Sequence, residues 1–102
     1  MAEIEVDFHP EARQDYLDAL AWYIGHSEAL GRRFQRAVSD SIDRIADGPE
    51  HCPIFEEGIR WTRLKRFPYV IYFEQVARDR VGILAVAHGR RRPGYWRGRR
   101  RK

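Results

Sequence analysis

Tyr69-Val70-Ile71-Tyr72-Phe73 is apolar on both faces of the two-residue period that a strand imposes. A strand of that kind is covered on both sides, so it belongs in the middle of a sheet. Pro68 precedes it, at the first position of a strand, where no ladder N–H is needed. Ala77-Arg78-Asp79-Arg80 reads as a turn, and Val81–Ala87 as the strand that follows. Upstream, Ile59–Phe67 is strand-like but polar, with Trp61 and Leu64 out of phase. A bulge and partial burial of both faces each account for that. Residues 49–58 hold two prolines and a glycine and read as a loop. Three sequential strands with short links make an antiparallel meander.

The first half of the chain has a different period. Ile4, Val6 and Phe8 alternate with Glu5, Asp7 and His9, which predicts a short strand with one buried face. Pro10 then suits the first position of a helix, and apolar residues recur at Ala12, Tyr16, Ala19, Leu20, Tyr23 and Ile24. Ser27 is a candidate N-cap for a second helix, with Glu28 in its first turn, although Gly31 blurs where that helix begins. Leu30, Phe34, Ala37, Val38, Ser41, Ile42 and Ile45 form its stripe, and Gly48-Pro49 ends it. Helices with so short a link form an antiparallel hairpin. The expected fold is therefore α+β, in the order β-α-α-β-β-β. The hairpin covers one face of a small antiparallel sheet and leaves the other face partly open.

At 102 residues there is room for one domain, taken as residues 1–96, with 97–102 as a basic C-terminal tail. A hydrophobic share of 43% beside 33% charged residues is globular and excludes a disordered chain. Val81–Ala87, the one notable apolar run, is too short to span a bilayer, so no membrane partner is expected. The acidic, alternating start, Met1-Ala2-Glu3-Ile4-Glu5, does not read as a secretory signal. The single cysteine, Cys52, has no internal disulfide partner, which suits a cytoplasmic protein.

The net charge of +4 hides an asymmetry. Eight of the nineteen cations fall in residues 90–102, which contain no acid, leaving eleven to face all fifteen acids in residues 1–89. A second basic stretch, Arg60, Arg63, Lys65 and Arg66, has no acid between Gly58 and Phe73. Two readings stand for Arg97–Lys102: a solvated tail, or an arm toward a polyanion. If the fold joins the two stretches, they form one cationic face for an anionic partner.

Other chemistries find little support. No glycine-rich loop precedes a helix. His9, His26, His51, Cys52 and His88 lack the spacings of zinc ligands, and no metal or other cofactor is expected. Cys52 lacks an identifiable His and orienting group, and Ser39 and Ser41 belong to a helix. Tyr16, Trp22, Tyr23, Tyr69, Tyr72 and Phe73 are spaced as core and interface residues rather than as a base-stacking platform. What remains is Arg60, Trp61, Arg63, Lys65 and Arg66 in one strand, and His88, Arg90, Arg91, Tyr95 and Trp96 at the end of the chain. Guanidinium forks bind phosphate, and aromatic rings stack on unpaired bases. His88, Arg90 or Arg91, and Tyr95 have the types needed for metal-independent RNA cleavage. The competing reading is that Tyr95 and Trp96 pack the chain end onto the core while His88 closes a strand.

Ordered phrases along the chain carry a resemblance. They are Phe8-His9-Pro10-Glu11-Ala12, Ala21-Trp22-Tyr23, Phe34, Arg44-Ile45, Pro53, Arg66-Phe67-Pro68-Tyr69-Val70-Ile71-Tyr72-Phe73, Ala85-Val86-Ala87-His88-Gly89-Arg90-Arg91 and Pro93-Gly94-Tyr95-Trp96. Together, over roughly residues 4–96, the chain resembles the RelE/ParE superfamily of bacterial type II toxin–antitoxin toxins, and its ParE-like branch in particular. The resemblance implies a helical hairpin on a small antiparallel sheet, a role in plasmid stabilisation, and a cognate antitoxin with an acidic C-terminal segment. It also implies growth inhibition by one of two routes. ParE-like members poison DNA gyrase without catalytic residues, and RelE-like members cleave mRNA in the ribosome. Carried over, the target-binding set is Arg63, Lys65, Arg66, Arg90, Arg91, Tyr95 and Trp96. Were the chain a nuclease, Arg63, Lys65, His88, Arg90, Arg91 and Tyr95 would be its catalytic set. Arg66-Phe67-Pro68-Tyr69 and Gly89-Arg90-Arg91 with Tyr95-Trp96 favour the gyrase route. A binding module without toxicity is a third reading.

Overall fold

The computed structural model describes residues 3–100. Met1, Ala2 and the last two expected tail cations, Arg101 and Lys102, lie outside the described residues. Strand β1 (Glu5–Phe8) leads into helices α1 (Pro10–His26) and α2 (Glu28–Asp47), joined by Ser27 alone. Pro10 opens α1, and the Ser27 hydroxyl accepts the Leu30 N–H at 3.1 Å to cap α2. The blurred position, Gly31, is buried inside α2 against α1. A Cβ there would collide with Ile24 of α1. After a 3-10 turn at Pro49–His51 come β2 (Ile54–Glu56), β3 (Ile59–Arg63), β4 (Tyr69–Ala77) and β5 (Arg80–His88).

The five strands lie in the order β1-β5-β4-β3-β2, so β4 is the central strand, as its two apolar faces require. The α+β architecture read from the sequence holds, with two refinements. The expected loop contains β2, which pairs antiparallel with β3 across the two-residue turn Glu57-Gly58, with Gly58 at φ 77°. The sheet is mixed at one edge, because β1 runs parallel to β5. Strand β3 is also shorter than the reading predicts. It stops at Arg63, so Leu64 turns to the helix side and is buried there, which explains the phase break between Trp61 and Leu64.

Two apolar clusters sit on opposite faces of the sheet. Ala12, Ala19 and Tyr23 of α1 and Phe34, Val38 and Ile45 of α2 pack on Ile71, Phe73, Val81, Ile83 and Val86. The other face holds Ile59, Leu84, Ala85, Ala87 and Trp96, with Phe55, Tyr72 and Tyr95 against them. A bulge serves both. Tyr72 pairs with Ala85 but Phe73 with Ile83, so Leu84 is the extra residue, and the consecutive Leu84 and Ala85 both join the second cluster.

Candidate functional site: a cationic groove beneath a C-terminal strap

The sheet face away from the helices is crossed by the chain's own end, residues 89–100. Past β5, the Arg90 N–H donates to His88 Nδ1 at 3.0 Å and the Arg91 N–H to the His88 carbonyl at 2.9 Å. Pro93 and Gly94, with Gly94 at φ 86° and the Tyr95 N–H reaching the Arg92 carbonyl at 3.3 Å, reverse the chain in the manner of a type II turn. Trp96 is thereby brought onto the sheet, its ring 4.6 Å from that of Tyr72 and 5.5 Å from that of Phe55. It is 0% exposed. Its Nε1 finds no hydrogen-bond partner among the described residues, which costs about 1–3 kcal/mol, so ring burial is what seats it.

Three tail arginines then fasten the strap to carboxylates of the acidic body. Arg97 forks onto Glu56, with contacts of 2.7 and 3.1 Å to one oxygen, and holds that carboxyl below its ordinary pKa through the hydrogen bond. Arg99 donates to Asp15 Oδ2 at 2.7 Å and to the Leu84 carbonyl at 3.0 Å, with Glu11 at 3.5 Å. Arg100 lies 3.8 Å from Glu74. The sequence reading sets 97–102 apart as a tail, whereas residues 97–100 are folded against the sheet. Like charge does not keep them off, because each cation meets a carboxylate supplied from a distant element.

Beside the strap lies a groove of about 410 Å³, walled by Arg63, His88, Arg91, Arg92, Tyr95 and Trp96, with Tyr72 and Val70 beneath. No carboxylate of the described residues lines it. It opens into a wider groove of about 720 Å³ toward α1, where Trp22, Tyr23 and Tyr69 form the apolar wall and Asp15 and Asp18 the acidic one. Arg91 and Tyr95 border both. The Arg91 guanidinium lies 3.8 Å above the Tyr95 ring, within cation–π range, and the Arg63 guanidinium 5.8 Å from the Trp61 ring.

The fold thus brings together five of the sequence-predicted residues: Arg63, His88, Arg91, Tyr95 and Trp96. Lys65 and Arg66 stand apart. They border a different groove, against Arg33 and Arg36 of α2, because Arg66 adopts the left-handed region (φ 66°) in the turn between β3 and β4. Arg90 is exposed and borders none of these three grooves. Trp96 is fully buried and has no surface to offer a partner in this state.

Two groups escaped the sequence reading. Arg92 is in the groove wall, and Asp15 sits below it with a side chain only 14% exposed. Asp15 Oδ2 accepts the Val86 N–H at 3.2 Å, the Tyr95 hydroxyl at 3.3 Å and the Arg99 guanidinium. A signal for it existed. Position 15 lies on the α1 stripe between the buried Ala12 and Ala19, and a carboxylate on a buried stripe needs partners.

The lining of the groove is cationic and aromatic, and two of its members could be asked to move protons, Tyr95 and His88. Tyr95 already gives its hydroxyl proton to Asp15, and burial, then the Asp15 charge, pushes its pKa up to about 12. Because His88 Nδ1 accepts from the Arg90 amide, the neutral ring carries its proton on Nε2 and is a donor there. Neither therefore presents a proton acceptor to the groove. Among the described residues, no three His, Cys, Asp or Glu side chains cluster in a way that could hold a metal ion.

Comparison with known families settles the kinship. A family model described as the ParE toxin of the type II toxin–antitoxin system, parDE, matches residues 6–93. The chain belongs to the ParE toxin family. A search of proteins with curated functions gave no match. The fold is shared with a solved structure titled "Chromosomal ParDE TA system from P. aeruginosa", at a TM-score of 0.69 and 16% identity, covering 84% of this chain and 96% of that one. The family match ends at residue 93, so Trp96 and the fastening arginines of this ParE-family chain lie beyond it. Among its described residues, no helix is long and apolar enough to cross a membrane.

Proposed function

We propose that this ParE-family chain is the toxin of a toxin–antitoxin pair, that it inhibits growth by docking noncatalytically on DNA gyrase in the cytoplasm, and that a cognate antitoxin with an acidic segment neutralises it. The observation that carries the reading is the groove walled by Arg63, Arg91 and Arg92 with no carboxylate of the described residues in its lining, beside a His88 ring that donates from Nε2 and a Tyr95 hydroxyl whose proton is committed to Asp15. Guanidinium forks with no paired acid bind a carboxylate or phosphate surface strongly. General-base cleavage of RNA needs a proton acceptor, which those two side chains do not offer. Lys65, Arg66, Arg33 and Arg36 outnumber the one carboxylate of their groove, Asp40, and form a second, net-cationic patch that suits the acidic antitoxin segment.

The test sets two targets side by side. Purified protein is incubated with DNA gyrase and supercoiled plasmid, and separately with translating ribosomes. The reading predicts lost supercoiling or trapped cleavage complexes in the first arm and intact mRNA in the second. Cut mRNA with unaffected gyrase would overturn it in favour of a RelE-like endonuclease. No effect in either arm, and none on growth, would leave a binding module without toxicity.

A further inference from the structure

We infer that Asp15 is a positioning residue for Arg91, acting through Tyr95. The Arg91 guanidinium is exposed, borders both grooves and pairs with no carboxylate among the described residues. A free arginine of that kind samples many rotamers, and holding it still on binding costs entropy. Here its guanidinium rests on the face of the Tyr95 ring at 3.8 Å. That ring is fixed at its far end, where the hydroxyl donates to Asp15 Oδ2 at 3.3 Å. Asp15 is itself held from three sides. It stands on α1, is 14% exposed, and its Oδ2 also takes the Val86 backbone N–H from β5 and the Arg99 guanidinium from the strap. A helix, a strand and the strap therefore converge on one oxygen, and that oxygen sets the plane on which the cation shared by both grooves lies. Asp15 touches no target; it holds the ring that holds the cation. The consequence for target affinity rests on the gyrase reading, but the positioning itself does not.

Side-chain NMR and gyrase binding together test this. Protons of Arg91 above the ring carry an upfield ring-current shift. Tyr95→Phe keeps the ring and removes only its tether, while Asp15→Asn keeps the shape and removes the charge. In both variants the Arg91 shift should move toward its free value, and affinity for purified DNA gyrase should fall about three- to tenfold. The double variant should lose no more affinity than either single one, because both break the same link. Arg97→Gln, which loosens the strap on its other side, should leave the Arg91 shift in place. An unchanged Arg91 shift in Tyr95→Phe overturns the positioning role, as does an equal loss in Arg97→Gln. If Asp15→Asn does not fold, Tyr95→Phe and Arg97→Gln still decide the question. Should gyrase fail to bind the parent protein, the docking reading falls and the Arg91 shift still decides whether Asp15 positions it.

Discussion

Replacing Arg99 by methionine tests whether the chain end is part of the fold. Methionine keeps the apolar stem and removes the guanidinium, so the bonds to Asp15 Oδ2 at 2.7 Å and to the Leu84 carbonyl at 3.0 Å are lost together. Both members of the ion pair are largely enclosed, with side chains 13% and 14% exposed. Breaking a buried pair by removing one partner costs about 3–5 kcal/mol. Asp15 keeps two donors, the Val86 N–H and the Tyr95 hydroxyl, and water reaches the site in part, which lowers the cost. The expected loss is about 2–4 kcal/mol. For a chain of this length that corresponds to a fall in Tm of roughly 8–16 °C. Thermal and urea unfolding read it directly. Arg97→Met is the control, since Arg97 is 55% exposed and its loss should change little. If Arg99→Met unfolds within about 0.5 kcal/mol of the parent, as an ordinary surface change does, then the strap is only laid on the sheet and the reasoning fails.

Trp96→Ala should destabilise the protein by about 3–5 kcal/mol, because a fully buried ring is deleted from the second cluster; a near-neutral result in urea unfolding would mean that this face does not depend on the strap. Tyr95 adds a pH dependence: its pKa is about 12 folded against 10.0 unfolded, so its contribution is whole below pH 10 and is lost as pH rises from 10 to 12. Comparing the parent with Tyr95→Phe across that range should show about 1–2 kcal/mol of extra alkaline loss in the parent after solvent screening, and superimposable profiles would refute the shift. Ser27→Ala should cost about 1 kcal/mol by unfolding, since the hydroxyl caps α2 at the one-residue link. Saturating antitoxin should stabilise the protein by mass action, by about 2.7 kcal/mol at a hundredfold excess over Kd, and so raise its Tm; equal melting of free and complexed protein would contradict the partnership.

The layers of this fold are written in local periodicity. The Ala12–Tyr23 and Leu30–Ile45 stripes can only be helix faces, and Tyr69–Phe73 can only be a central strand, because each pattern repeats within a few residues. The departures are long-range or very short. Strand β2 has three residues, Ile54-Phe55-Glu56, too few to set a period of their own. The alternation of Ile4, Val6 and Phe8 is the same whether β1 pairs parallel or antiparallel, so its direction beside β5 comes from the fold rather than from the strand. The strap is the largest omission. Arg97, Arg99 and Arg100 are neighbours in sequence with no acid near them, and their partners Glu56, Asp15 and Glu74 come from β2, α1 and β4. Charge counting along the chain reports a basic tail, whereas pairing across the fold leaves Arg63, Arg91 and Arg92 as the cations of the groove. Lys65 sits two residues from Arg63, yet the left-handed turn at Arg66 takes it to another surface.

The central claim is that the groove cations dock the toxin on gyrase without catalysis. The most direct measurement is a gyrase supercoiling assay on the parent protein and on Arg63→Gln/Arg91→Gln/Arg92→Gln, with retained folding checked by thermal unfolding. The account predicts inhibition by the parent, its loss in the folded triple variant, and intact ribosome-bound mRNA with both. Full inhibition by the triple variant would contradict it.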